Sequence, residues 1–153
     1  MIRQDDILLY AMSEFPFKKY GCALFDMEYL SVMHGTGIFR RSTFVKDCEK
    51  LVDAKIIDKE TAILNWDKLC GYLGLHYRLV FEDGTHKLHS MRMLKENELQ
   101  LLYLYNRSTG YHHFVCADRN DNITYDSLGE SVTGEAYQHG KAFIESRRVF
   151  RKI

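Results

Sequence analysis

Four side chains in this sequence have types and positions suited to acyl chemistry: Cys22 directly after Gly21, the adjacent His112 and His113 that open the run HHFVCA, and Asp126 at the end of ITYD. Sulfur attacks a carbonyl carbon as the thiolate, so a useful cysteine needs something to stabilise its anion. Gly21-Cys22 ahead of a helical pattern predicts a sulfur at a helix N-terminus, where unpaired backbone N–H groups and the helix dipole supply partial positive charge. An imidazole would add a base, and a carboxylate would fix its tautomer. Along a strand, His113, Val115 and Ala117 point one way while His112, Phe114 and Cys116 point the other, so at most one histidine serves a given site. Asp126 stands 13 positions after His113, across the turn RNDN. Strand, turn and strand bring the two near each other. Each residue also has a plain reading: an inert buried cysteine, a surface histidine and an aspartate that ends a turn.

Other constellations fare less well. Asp118, Asn120, Asn122 and Asp126 fall at the first, third, fifth and ninth places of a calcium loop. Ile123 stands where that loop needs glycine and Gly129 where it needs a bidentate glutamate, so a hairpin turn explains them better. His86 and His89, with His112 and His113, lack recognised zinc-ligand spacing. Cys22, Cys48, Cys70 and Cys116 form no C-x-x-C pair, and without a secretory leader they are expected as free thiols. Cys48 and Cys70 fall on apolar helix faces, and Cys116 looks packed. No metal and no cofactor is expected.

The elements that must position these groups follow from periodicity. A helix is predicted over DDILLYAMSE, with Asp5 as its cap, ending before Pro16 because the residue preceding proline avoids the helical basin. A second runs from about Cys22 to Met33, packing Ala23, Leu24, Met27, Leu30 and Met33, with Gly35 as its stop. A third, capped by Ser42 or Thr43, buries Phe44, Cys48, Leu51 and Val52; a fourth begins after Asn65. Beyond residue 75 the pattern alternates: a hairpin about Asp83-Gly84, three runs within ELQLLYLYNRSTGYHHFVCADRNDNITYDS, and a last strand in KAFIESRRVFRKI. Helices followed by a mainly antiparallel sheet make an α+β chain. At 153 residues with one proline, it is expected to form one domain over 1–153.

Lysine plus arginine and aspartate plus glutamate number 21 each, so no overall field attracts a polyanion or an acidic membrane. The basic SRRVFRK reads as a strand with its charges toward solvent rather than a nucleic-acid patch. No leader pattern and no long apolar run is present, so a cytoplasmic location is expected.

Together, KKYGCALFDMEYL, GYHHFVCADRNDNITYDSLGES and the basic closing strand resemble the papain-like cysteine peptidases, in particular the small C39-like branch of bacteria and phages. Cys22, His113 in HFV and Asp126 in DSLG match that branch's cysteine, histidine and aspartate in order, and the likeness runs from about residue 16 onward. The Cys-to-His gap of 91 residues is shorter than papain's roughly 130 to 150, which fits a reduced domain. The resemblance implies a papain-like fold, a Cys22–His113–Asp126 triad and cleavage of an amide bond in a peptide, protein or peptidoglycan-type substrate. The family's oxyanion glutamine, five or six residues before the cysteine, is replaced by Phe17 and Pro16. Loss of such a donor costs on the order of 100- to 1000-fold in rate. The backbone N–H of Cys22 remains as a donor, and Lys18 or Lys19 stand where a side chain could substitute. Ser127 replaces the family's usual proline. The rival reading is a non-catalytic scaffold of this kind that binds a peptide or protein partner; a nucleic-acid accessory protein is a third, disfavoured by the balanced charge.

Overall fold

The computed structural model of the chain describes residues 17–35, 37, 44–61, 63–82, 94–129 and 131–153, with backbone alone at 17–20 and 44–45. In order come helices α1 (Phe17–His34), α2 (Phe44–Asp53) and α3 (Trp66–Tyr72), then strands β1 (Tyr77–Glu82), β2 (Glu98–Asn106), β3 (His112–Ala117) and β4 (Ile123–Tyr125), helix α4 (Val132–Gln138), and strand β5 (Ala142–Lys152). The strands form one antiparallel sheet in the order β1-β5-β2-β3-β4. The chain is therefore α+β, with three helices among the described residues before the strands and α4 inserted ahead of the last one.

The expected helix over DDILLYAMSE lies outside the described residues, as do the turn at Asp83-Gly84 and its return arm. The other arm of that predicted hairpin is β1, which pairs with β5. Asn65 caps α3 as its side chain type predicts, accepting the Lys68 N–H at 3.1 Å.

Both faces of the sheet are covered, which is why β2 reads ELQLLYLYN rather than alternating apolar and polar. Leu101, Phe114, Cys116 and Phe150 pack against Ala23, Leu24, Met27 and Leu30 of α1, Cys48 and Leu51 of α2, and Trp66, Leu69 and Cys70 of α3. Trp66 meets Phe114 and Phe150 edge-on at 5.9 and 5.8 Å between centroids. The opposite face carries Leu102, Leu104, Val115 and Ala117, packed with Ile123, Ile144 and Tyr137 of α4. Met33, expected in the packed stripe of α1, is exposed because it lies on the last turn.

The closing strand departs from its predicted solvent-facing charges. Arg147 is fully buried, opposite Leu102 on the α4 side, and forks onto Asp121 at 2.5 and 2.6 Å while also donating to Gln100 Oε1 at 3.1 Å. Arg151 pairs with buried Glu98 at 3.0 Å, and Arg148 with Glu82 at 3.1 Å. These arginines close the protein's own acids because β5 is an interior strand, flanked by β1 and β2.

Candidate active site

Strand β4 pairs with β3 only at Cys116 and Ala117. The stretch of β3 around His113 is thus left to α1 on one side and to the loop after β4 on the other. His113 is buried and its Nε2 lies 2.8 Å from Asp126 Oδ1. The same imidazole is the side chain that acts most strongly on the Cys22 thiol, through hydrogen bonding and through its charge. The three residues matched by order alone are thereby brought together.

Cys22 is not at the start of its helix. Helix α1 begins at Phe17, so Cys22 sits in the second turn and its N–H bonds back to the carbonyl four residues earlier, leaving it unable to serve as an oxyanion donor. Gly21 is accommodated within the helix rather than marking its entry. What stabilises the thiolate is tertiary. Burial by itself raises the Cys22 thiol, but the hydrogen bond and charge of His113, with the backbone N–H groups of Phe114 and Ala23, outweigh it and leave the group below its ordinary value. Burial likewise opposes a charged His113, yet its bonds to Asp126 and Cys22 lift it to about 10. Burial opposes an ionised Asp126 too; the His113 partner, Ser131 and the Leu128 N–H overcome this and hold the carboxyl below its ordinary value. The three groups form one coupled row, in which the charge of His113 favours the ionised form of both its neighbours.

Asp126 is held by more than the histidine. Its Oδ1 also accepts the Leu128 N–H at 3.0 Å, and its Oδ2 accepts the Ser131 N–H at 3.2 Å and the Ser131 hydroxyl at 2.5 Å. Ser131 Oγ in turn accepts the Gly134 N–H at 2.9 Å, making Ser131 the cap of α4. Gly129, at φ 80°, lets the chain turn back so that its N–H reaches the Asp126 carbonyl at 2.9 Å. A Cβ on Gly134 would stand 2.5 Å from Asp126 Oδ2 and 2.8 Å from Ser131 Oγ. Gly134→Ala is therefore expected to destabilise the fold by about 1–3 kcal/mol in urea unfolding. As Asp126 is pushed off the ring, the imidazole titration seen by NMR should also move down from its raised position.

The remaining histidine behaves as strand alternation requires. His112 points away from Asp126, pairs with Glu145 at 2.6 Å and stacks on Tyr103 at 4.8 Å. The side chains of Lys18 and Lys19, and residues 86 and 89, lie outside the described parts. Asp118 accepts the N–H groups of Asn120 and Asn122, each at 2.9 Å, as a turn-forming side chain does. Among the described residues, no group of three or more His, Cys, Asp or Glu is placed to hold a metal ion. No helix among them is long and apolar enough to cross a membrane.

Two members of this neighbourhood are not singled out by motif. Ser131 has the signature of a helix cap, but its second role toward Asp126 depends on the fold. Asp26 stands at helical spacing from Cys22 amid the apolar Ala23, Leu24, Met27 and Leu30, and an acid within such a stripe is itself a signal.

No curated protein matches this sequence, and no solved structure matches it. One family does, over residues 2–152, nearly the whole chain. The chain belongs to the family described as "Protein of unknown function, DUF261".

Proposed function

We propose that this protein is a thiol hydrolase that cleaves an amide bond through Cys22, His113 and Asp126. The observation that carries the reading is the shared imidazole: His113 is bonded through Nε2 to Asp126 at 2.8 Å and is also the side chain that most favours ionisation of Cys22. Of the four cysteines, Cys22 alone is shifted toward the thiolate; burial pushes Cys48 and Cys70 up to about 12, and Cys116 well above the usual thiol range.

In this mechanism His113 takes the Cys22 proton, and the sulfur's electron pair forms a bond to the substrate carbonyl carbon. Collapse of the tetrahedral adduct breaks the C–N bond as His113 returns that proton to the leaving amine. Water, deprotonated by the same imidazole, then attacks the thioester; the acid leaves and the thiol regains its proton. Asp126 stays ionised and fixes the ring throughout. The resemblance to C39-like peptidases favours a papain-like fold and a peptide or peptidoglycan cross-bridge as substrate, by analogy.

The expected result is selective carbamidomethylation: at mildly acidic pH, iodoacetamide should label Cys22 at least about 100-fold faster than Cys48, Cys70 or Cys116, with peptide mass mapping as the readout. Equal labelling of all four would end the case for an activated thiolate. A second reading, a non-catalytic scaffold that binds a peptide or protein, is favoured by one observation: the N–H of Cys22 is used inside α1 and Phe17 occupies one of the family's glutamine positions, which leaves the oxyanion without either usual donor. Turnover of acyl substrates that disappears in Cys22→Ala supports the hydrolase; tight peptide binding without turnover supports the scaffold.

A further inference from the structure

One helical turn beyond Cys22, Asp26 is wholly buried, and neither of its carboxyl oxygens has a hydrogen-bond partner. The residue is locked in place through its backbone: its carbonyl accepts the Cys116 thiol at 3.6 Å. Beside it Tyr125 of β4 is stacked on Tyr29 of α1 at 4.3 Å. The ionisable groups that act on its carboxyl are Cys22 on its own helix, His113 on β3 and Asp126 after β4; its charge in turn bears on Cys116 and Tyr125. A carboxylate sealed in this way, with no donor on either oxygen, is strongly disfavoured, whereas a carboxylic acid is tolerated.

Counting charge gives the geometry a consequence. His113 supplies one positive charge. Asp126 is hydrogen-bonded to it and ionised, and a Cys22 thiolate brings the buried group to one net negative charge. Ionising Asp26 as well would leave two, and no donor reaches either Asp26 oxygen to spread the added charge. We propose that Asp26 is a fourth ionisable member of the site, a neutral acid that competes with Cys22 for the positive charge of His113, so that a protonated Asp26 and an ionised Cys22 occur together. Buried beneath the sulfur, Asp26 does not meet substrate. It is a positioning residue that acts on charge, and its role rests on the thiolate reading of Cys22, though not on any particular substrate.

Infrared difference spectra of the full chain, wild type minus Asp26→Asn, test this. A protonated-carboxyl carbonyl band should be present near neutral pH and should vanish on alkaline titration. In Cys22→Ser, which removes the thiolate but little volume, the band's midpoint should fall by at least about one pH unit, a tenfold change in proton affinity. Asp26→Asn, which mimics the neutral acid, should keep the neutral-pH alkylation rate of Cys22 within about twofold. Stability offers a second arm, which does not depend on alkylation. Burial and the Cys22 charge raise the Asp26 carboxyl well above its ordinary 3.8, so the folded chain binds this proton more tightly than the unfolded chain. The Asp26 contribution to stability is therefore complete below 3.8 and is lost as pH rises through its raised value, and Asp26→Asn should gain on wild type over that range.

Absence of the band near neutral pH, a midpoint unmoved in Cys22→Ser, or a tenfold faster alkylation in Asp26→Asn would each overturn the proposal. Preferential labelling of Cys22 without the carboxyl band removes the role of Asp26 and leaves the thiol reading standing. A band that shifts in Cys22→Ser upholds it even where no acyl substrate is turned over.

Discussion

Replacing His113 with alanine should slow carbamidomethylation of Cys22 by about 100- to 10,000-fold at mildly acidic pH, the range spanned by a positioned acid–base group. Without the imidazole, the sulfur loses the side-chain hydrogen bond and the charge that hold it toward the thiolate, and burial pushes it up against the backbone N–H groups of Phe114 and Ala23 alone. Reaction in the variant should appear only at alkaline pH. In the wild type, reactivity should rise through the lowered titration of Cys22 and the ion pair should persist until His113 loses its proton, at about 10. The same shift has a stability consequence of definite sign. The imidazole is raised from its ordinary 6.5, so its contribution is complete below that value and is lost as pH climbs through about 10. His112→Ala is the control, since that ring is engaged with Glu145 and Tyr103 and should leave the rate unchanged. An unaltered rate in His113→Ala would place the base elsewhere; a loss in His112→Ala would reverse the assignment.

The second large effect concerns Arg147. Arg147→Ala should destabilise the chain by about 2–3 kcal/mol in urea unfolding, below the range for a fully buried pair, because the buried guanidinium is lost while the stranded Asp121 keeps partial contact with solvent. The stranded groups are Asp121, which receives both arms of the guanidinium, and Gln100, which also donates to Asp121 Oδ1 at 3.0 Å. Asp121 heads the turn into β4, adopts φ 62°, and its carbonyl accepts the Tyr137 hydroxyl at 2.7 Å. Loss of the arginine therefore loosens the connection that delivers Asp126. Pairing Arg147→Met with Asp121→Asn should recover most of the loss: methionine fills the volume, and asparagine tolerates the left-handed backbone. A single variant costing under about 1 kcal/mol would mean that the pair is effectively solvated.

Local residue types determined a good part of this protein. Asn65 before WDKLC specifies a cap, the apolar spacing of Ala23, Leu24, Met27 and Leu30 a buried helical face, and HHFVCA two histidines on opposite sides of a strand; each depends on neighbours within a few positions. The order of cysteine, histidine and aspartate was legible for the same reason, as residue type and sequence. Their meeting was not. It depends on β4 stopping short along β3 and on α1 filling the gap, which no local pattern encodes. The state of Cys22 was likewise decided by packing: the helix starts earlier than Gly21 suggests, so the charge that favours the thiolate comes from an imidazole 91 residues away and not from a helix end. Arg147 and Asp26 make the same point in opposite senses. Solvent-facing by pattern, Arg147 is buried because β5 lies inside the sheet and Asp121 meets it there. Asp26, one polar letter in an apolar stripe, is enclosed without a donor because the helix presses that face onto β3 and β4. Burial and partnership are properties of surfaces brought together, and only the tertiary structure specifies which surfaces meet.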